Sequence, residues 1–227
     1  MVHVTKRLEL LLLLLLATAL TACDAAKDSS LNGPEVGVEL SRVPDGWHAV
    51  NKDALKTLQK LEKERIKLEK ERRREERKAL KAQFDEYKKS GMLPKTRIGA
   101  ELLVCEPQDY DADAEIIGPD GGEIRVGGHK LTIPAGALED YTLITMEAPP
   151  SLLVEVEFTP HGIYFDKEPL LKLSYKRCWV PHNQPFRVVY IDDLARILEW
   201  PTSFDLKHWG DVYARIGHFS RYAVASN

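Results

Sequence analysis

The chain has 227 residues and a formal net charge of −3. Its cysteines are few and far apart, which argues against a thiolate zinc centre, and past residue 22 no stretch is long and apolar enough to span a bilayer. The small net charge conceals a division: Lys52–Lys89 carry 15 Lys and Arg against 9 Asp and Glu, whereas residues 99–227 carry 11 against 20.

Lys6 and Arg7 precede a leucine run from Leu10 to Leu16, and Leu20-Thr21-Ala22-Cys23 follows it. A basic start, a short apolar stretch and small residues before a cut describe an export signal. A membrane-spanning helix needs about 20 apolar residues, more than this run supplies with Glu9 inside it. Residues 1–22 are therefore expected to be removed. The cysteine at the cut resembles the lipobox of bacterial lipoproteins. That resemblance implies that Cys23 becomes the first mature residue and carries a lipid anchor such as palmitate. It also implies a place in a Gram-negative-type cell envelope, on the periplasmic side of the inner membrane or on the outer membrane. Asp24 is read by enterobacterial sorting as a signal to stay in the inner membrane; other bacteria read it differently, so the leaflet stays open.

Residues 23–51 hold Ser29, Ser30, Asn32, Gly33, Pro34, Pro44 and Gly46 and few bulky apolar side chains, the composition of a flexible tether. Residues 52–90 are expected to form one helix, capped by Asn51 and stopped by Gly91 and Pro94, about 57 Å long. Leu55, Leu58, Leu61, Ile66 and Leu68 give its first half an apolar stripe. The stripe fails at Arg72-Arg73-Arg74-Glu75-Glu76 before Ala79, Leu80, Phe84 and Tyr87 resume it. A solvated spacer holding the rest of the protein off the membrane is the preferred reading. A short coiled coil making a homo-oligomer, and a nucleic-acid or anionic-lipid site at Arg72, Arg73 and Arg74, are the alternatives. The basic helix and the acidic segment after it are also expected to attract one another between chains.

From about residue 97 the texture changes to short alternating segments divided by Gly, Pro and Asp. Strands are expected over residues 130–133, 143–147, 154–158, 171–175, 187–191, 197–200 and 212–224, which together describe an all-β sandwich. Export would place Cys105 and Cys178 in an oxidising compartment; a disulfide between them or two buried thiols are the possibilities.

Ile117-Gly118-Pro119-Asp120-Gly121-Gly122, then Leu131-Thr132-Ile133-Pro134-Ala135-Gly136-Ala137-Leu138, open a series of blocks. Phe158-Thr159-Pro160-His161-Gly162-Ile163-Tyr164-Phe165, Pro169-Leu170-Leu171-Lys172-Leu173 and His218-Phe219-Ser220-Arg221-Tyr222-Ala223-Val224 complete it. In this order they resemble a ZU-five domain, the antiparallel β-sandwich of zonula occludens proteins and netrin receptors. The resemblance implies that residues 97–227 form such a sandwich; the tether and helix lie outside it. No death domain accompanies it, so the signalling role of the animal relatives is not implied.

Within this domain His161 reads as a turn residue rather than a ligand. Trp179, Trp200, Trp209, Phe186 and Phe204 read as core or rim residues in preference to a sugar-binding platform, a choice that exposure of two or more of them would revise. His218-Phe219-Ser220 matches a tripeptide that cleaves itself in certain animal proteins with ZU-five domains. By that resemblance Ser220 of this chain would attack the Phe219 carbonyl with His218 assisting the proton transfer. Strict alternation would put Ile216, His218, Ser220, Tyr222 and Val224 on the core side of one strand, and that structural role is preferred. Asp192, Asp193 and Asp205 have no sequence link to His218 that would make a triad.

The chain as a whole reads as a non-enzymatic envelope lipoprotein presenting a protein-interaction or structural sandwich on a helical stalk. Cleavage of its own Phe219-Ser220 bond and a carbohydrate-binding surface are the alternatives. No cofactor, metal or nucleic-acid partner is expected; the expected partners are the membrane through the lipid, an envelope protein, and a second copy through residues 52–90.

Overall fold

The computed structural model describes residues 52–91, 102–178, 180 and 184–226, all within one unit, Asp45–Asn227. The expected signal peptide, Cys23, the tether, the Asn51 cap, Pro94 and Trp179 lie outside the described residues. The chain is mostly β, with one long helix preceding two antiparallel sheets.

Helix α1 spans Lys52–Lys89. Asp53 in its first turn and Lys88 and Lys89 in its last oppose the helix dipole favourably. Among the described residues eleven strands follow: β1 Asp111–Ile117, β2 Gly122–Val126, β3 His129–Ile133, β4 Thr142–Ala148, β5 Glu155–Thr159 and β6 Leu170–Ser174. The rest are β7 Phe186–Ile191, β8 Ile197–Glu199, β9 Ser203–Leu206, β10 Asp211–Arg215 and β11 Arg221–Ser226. Six form one sheet in the order β1-β4-β5-β11-β7-β8, and five form the other in the order β2-β3-β6-β10-β9.

Alternation fills the space between the sheets. Ile124, Leu131, Leu171, Val212 and Ala214 from the five-stranded sheet meet Ile144, Met146, Val156, Phe158, Val188 and Val224 from the six-stranded one. The turn before β2 needs a glycine: Gly121 has φ +75°, and a Cβ there would lie 2.4 Å from the Ile133 carbonyl oxygen. Cys105 and Cys178 are bonded, with Cα atoms 4.5 Å apart, tying the segment ahead of β1 to the turn after β6. Beside them the buried Arg177 donates to the carbonyls of Glu106 and Leu153; burial lowers its pKa to about 10.

Two expectations change. Residues 212–224 are not one strand: β10 belongs to the five-stranded sheet and β11 to the six-stranded one, and residues 216–220 cross between them. Nor does the helix stand free as a spacer, because it lies on the sandwich. Leu55 and Ile66 are buried, and Ile66 clusters with Tyr110, Ala114, Ala112 and Leu143. Gln59 donates to the Ala114 carbonyl at 2.8 Å on β1, the edge strand, so the helix shields an edge that would otherwise offer open backbone groups. Lys63 pairs with Glu115 at 2.9 Å and Asp113 at 3.3 Å, Lys70 with Asp111 at 3.5 Å, and Arg77 with Asp109 at 3.1 Å. Lys81 pairs with Glu106, and Arg65 with Glu147. The attraction expected between chains is thus present inside one. Leu58, Leu61 and Leu68 of the expected stripe face outward, at 52%, 57% and 74% exposure.

Candidate functional site

The His218 tripeptide lies in the crossover between the sheets. Phe219 is the residue that enters the core: it stacks on Phe158 at 5.2 Å, meets Phe165 edge-on at 4.8 Å, and its N–H donates to the Ile163 carbonyl. Ile216, Phe219, Tyr222 and Val224 are the buried positions at the core, so the strict alternation expected here is broken. Crossing from one sheet to the other rotates the chain, and parity counted along one strand no longer applies. His218 is partly exposed, its ring beside Tyr190 at 4.9 Å and Tyr164 at 5.6 Å and its Nε2 3.4 Å from a Glu199 oxygen. The Tyr222 hydroxyl donates to the His218 carbonyl at 2.7 Å, and burial pushes that phenol's pKa up. Ser220 is buried, and its carbonyl accepts the Phe158 N–H at 3.1 Å. Among the described residues no hydrogen bond joins His218 to Ser220. The three aspartates stand elsewhere: Asp192 holds Arg196, Asp193 lies 3.9 Å from Arg221, and Asp205 accepts from Tyr175 and the Phe186 N–H.

A groove of about 400 Å³ lies between the helix and the six-stranded sheet, lined by Arg73, Leu80, Glu147, Glu155, Glu157 and Arg221 among others. Its charges are answered within the chain. Arg73 pairs with Glu69 and Glu76, Glu147 with Arg65, Glu155 with Arg221 at 2.9 Å, and Glu157 with His161 at 3.2 Å. His161, read as a turn residue, thus approaches a carboxylate. Among the described residues no group of three or more His, Cys, Asp and Glu is placed to hold a metal ion, and no helix is long and apolar enough to cross a membrane.

The largest departure from expectation is at residues 198–209. Of the five aromatic residues read as core or rim, Phe186 is buried. Trp200 at 36%, Phe204 at 51% and Trp209 at 63% are exposed, with Leu198 and Leu206 beside them in sequence. The preference for core or rim is therefore revised for these three. Position contributes: Phe204 is on β9, an edge strand, while Trp200 follows the edge strand β8 and Trp209 ends the short 3-10 turn Lys207–Trp209. Ser203 and Asp205 turn inward instead, Ser203 accepting the Val188 N–H at 3.1 Å and Asp205 the Phe186 N–H at 3.0 Å. Alternation then leaves Phe204 and Leu206 outside. Phe204 stacks on Tyr213 of the neighbouring strand at 5.0 Å with 4° between planes, and the Arg187 guanidinium lies 5.1 Å from the Trp200 ring centre. The alternation of Ser203-Phe204-Asp205-Leu206 marks a strand with two unlike faces; which face is outside follows from the contacts of Ser203 and Asp205.

No protein-family model and no curated protein matches the chain.

Proposed function

We propose that the protein is a non-enzymatic, lipid-anchored component of a bacterial cell envelope whose ZU-five-like sandwich is an interaction module. The lipobox-like Leu20-Thr21-Ala22-Cys23 supports the anchor, and the Cys105–Cys178 bond accords with an oxidising compartment. Because α1 lies on the sandwich, separation from the bilayer falls to residues 23–51, which span at most about 100 Å when fully extended. The observation that carries the interaction reading is the exposed aromatic group Trp200, Phe204 and Trp209 on one short stretch of chain. Clustered exposed apolar surface marks contact sites more often than it serves folding.

The anchor is tested by metabolic labelling with a fatty acid and by globomycin, which should abolish the label and leave an untrimmed chain that is heavier by the signal peptide. The interaction surface is tested by chemical cross-linking in intact cells, compared with a Phe204→Ala, Trp209→Ala variant. Loss of a specific cross-linked species in the variant is expected; an unchanged pattern removes the surface from the reading. The same exposure favours a second reading, a carbohydrate-binding surface. Its test is a glycan-dependent change in tryptophan fluorescence that disappears in the Trp209→Ala protein.

A further inference from the structure

Strand register places Arg125, Lys130, Lys172, Tyr213 and Phe204 in one straight row across all five strands of the second sheet. Directly opposed residues share a face, and the alternating neighbours Ile124, Leu131, Leu171 and Val212 fill the core, so the row lies outside. At the usual strand spacing it is about 19 Å long. Three cations in direct opposition weaken a sheet, since like charges facing one another across strands are unfavourable. Among the described residues, two carboxylates relieve them. Glu123 meets Arg125 at 2.7 Å and Lys130 at 3.5 Å, while Asp211 is 3.9 Å from Lys172 and is shared with Lys176 at 3.8 Å. A domain with 20 acids against 11 bases over residues 99–227 thus gathers positive charge on one sheet face, and that row ends in the exposed ring of Phe204 stacked on the half-buried Tyr213.

We propose that this face binds an acidic glycan, an inference that rests on the carbohydrate-surface reading above and specifies its ligand. A sugar ring presents C–H groups on its faces and hydroxyls at its rim, so it settles on an aromatic side chain such as Phe204. Carboxylates or phosphates on successive sugars then meet Lys172, Lys130 and Arg125 through charge-assisted hydrogen bonds. The anion supplies the counter-charge that the fold leaves short along the row. A nucleic acid would also bring phosphates, but single-strand sites stack successive bases on several aromatic rings. The row offers one platform, because Phe204 and Tyr213 are face to face at 5.0 Å.

The test uses the full-length lipidated protein in detergent and three probes: polygalacturonate, the same polymer with its carboxylates methyl-esterified, and an oligothymidylate. Polygalacturonate is expected to bind, more weakly as salt rises, and the ester at least about tenfold more weakly. The Lys130→Gln, Lys172→Gln double variant and the Phe204→Ala variant should each lose about tenfold for polygalacturonate, with folding checked by circular dichroism. Lys60→Gln, at an exposed helix residue outside the row, should lose nothing. Equal binding of ester and acid, still sensitive to Phe204→Ala, overturns the acidic specification and leaves the carbohydrate surface standing. Binding of neither polymer removes both. Oligothymidylate bound as tightly as polygalacturonate, or losses equal for Lys60→Gln and the row variants, overturns the proposal in favour of unspecific polyanion attraction.

Discussion

His129 lies inside the sandwich at 2% exposure, its Nδ1 accepting the Ser174 N–H at 3.1 Å. Burial, with Arg177 and Lys172 adding like charge, lowers its pKa to about 3. The folded state therefore keeps this ring neutral while the unfolded chain protonates near pH 6.5. Above that pH the residue does not oppose folding; as pH falls from about 6.5 toward 3 it contributes a loss of stability approaching 1.4 kcal/mol per pH unit. His129→Asn should flatten the denaturation midpoint against pH in that window relative to the parent, whatever its effect at pH 8; parallel profiles would contradict the assignment. Phe219 makes a different point at the same scale. Its ring is fixed between Phe158 and Phe165, and its amide donates to Ile163, contacts that suit a structural strand entry. Intact mass of purified protein is expected to retain residues 220–227; a shortened species that vanishes in Ser220→Ala would reverse this.

Helix α1 shows how a segment mostly polar in composition can still dock. Lys56, Lys60, Lys63, Lys67, Lys70, Arg74, Lys78 and Lys81 recur at steps of three or four, so one flank is a basic ridge. From it Lys63, Lys70 and Lys81 reach Asp113 and Glu115, Asp111, and Glu106 along the approach to and length of β1. Such half-exposed pairs contribute little each and are screened by salt. The small cluster around Ile66 then supplies much of the attachment. Ile66→Ala should cost about 2 kcal/mol and, read by hydrogen exchange, should raise the rates of α1 more than those of β6 or β11. In the parent, high salt alone should shift those rates far less. Acid acts in the same direction: the guanidinium of Arg65 lowers the pKa of Glu62, and the Lys81 ammonium that of Glu106. These contributions are fully present above the ordinary carboxylate range and are lost as pH falls from there through the lowered folded values.

Over the whole molecule the Cys105–Cys178 bond closes a loop with a sequence separation of 73. By the chain-entropy relation, such a closure is worth about 4 kcal/mol. A Cys105→Ala, Cys178→Ala protein should melt about 10 °C lower than the parent by calorimetry, and reductant should lower the parent's Tm toward the same value without affecting the variant. Charge is also arranged at this scale. The six-stranded sheet and its edge carry Asp111, Asp113, Glu115, Glu147, Glu155 and Glu157 and are partly covered by the basic helix. The opposite sheet carries half-buried Lys130 and Lys172 on its outer face, paired with Glu123 and Asp211.

The expected mostly β class, the long helix, and most of strands β3 to β8 were legible from local order alone. Alternation such as Val154-Glu155-Val156-Glu157-Phe158 and a helix interior without Gly or Pro express constraints that act between near neighbours. Where the chain changes sheets at residues 216–220, which face of α1 meets the sandwich, and which aromatic residues reach solvent were decided only in three dimensions. Each depends on contacts between residues distant in sequence: Gln59 with Ala114, Asp205 with Phe186, Phe219 with Phe158. A one-residue slip or a crossover reverses which side chains are buried, and periodicity carries no record of where the partner strand lies.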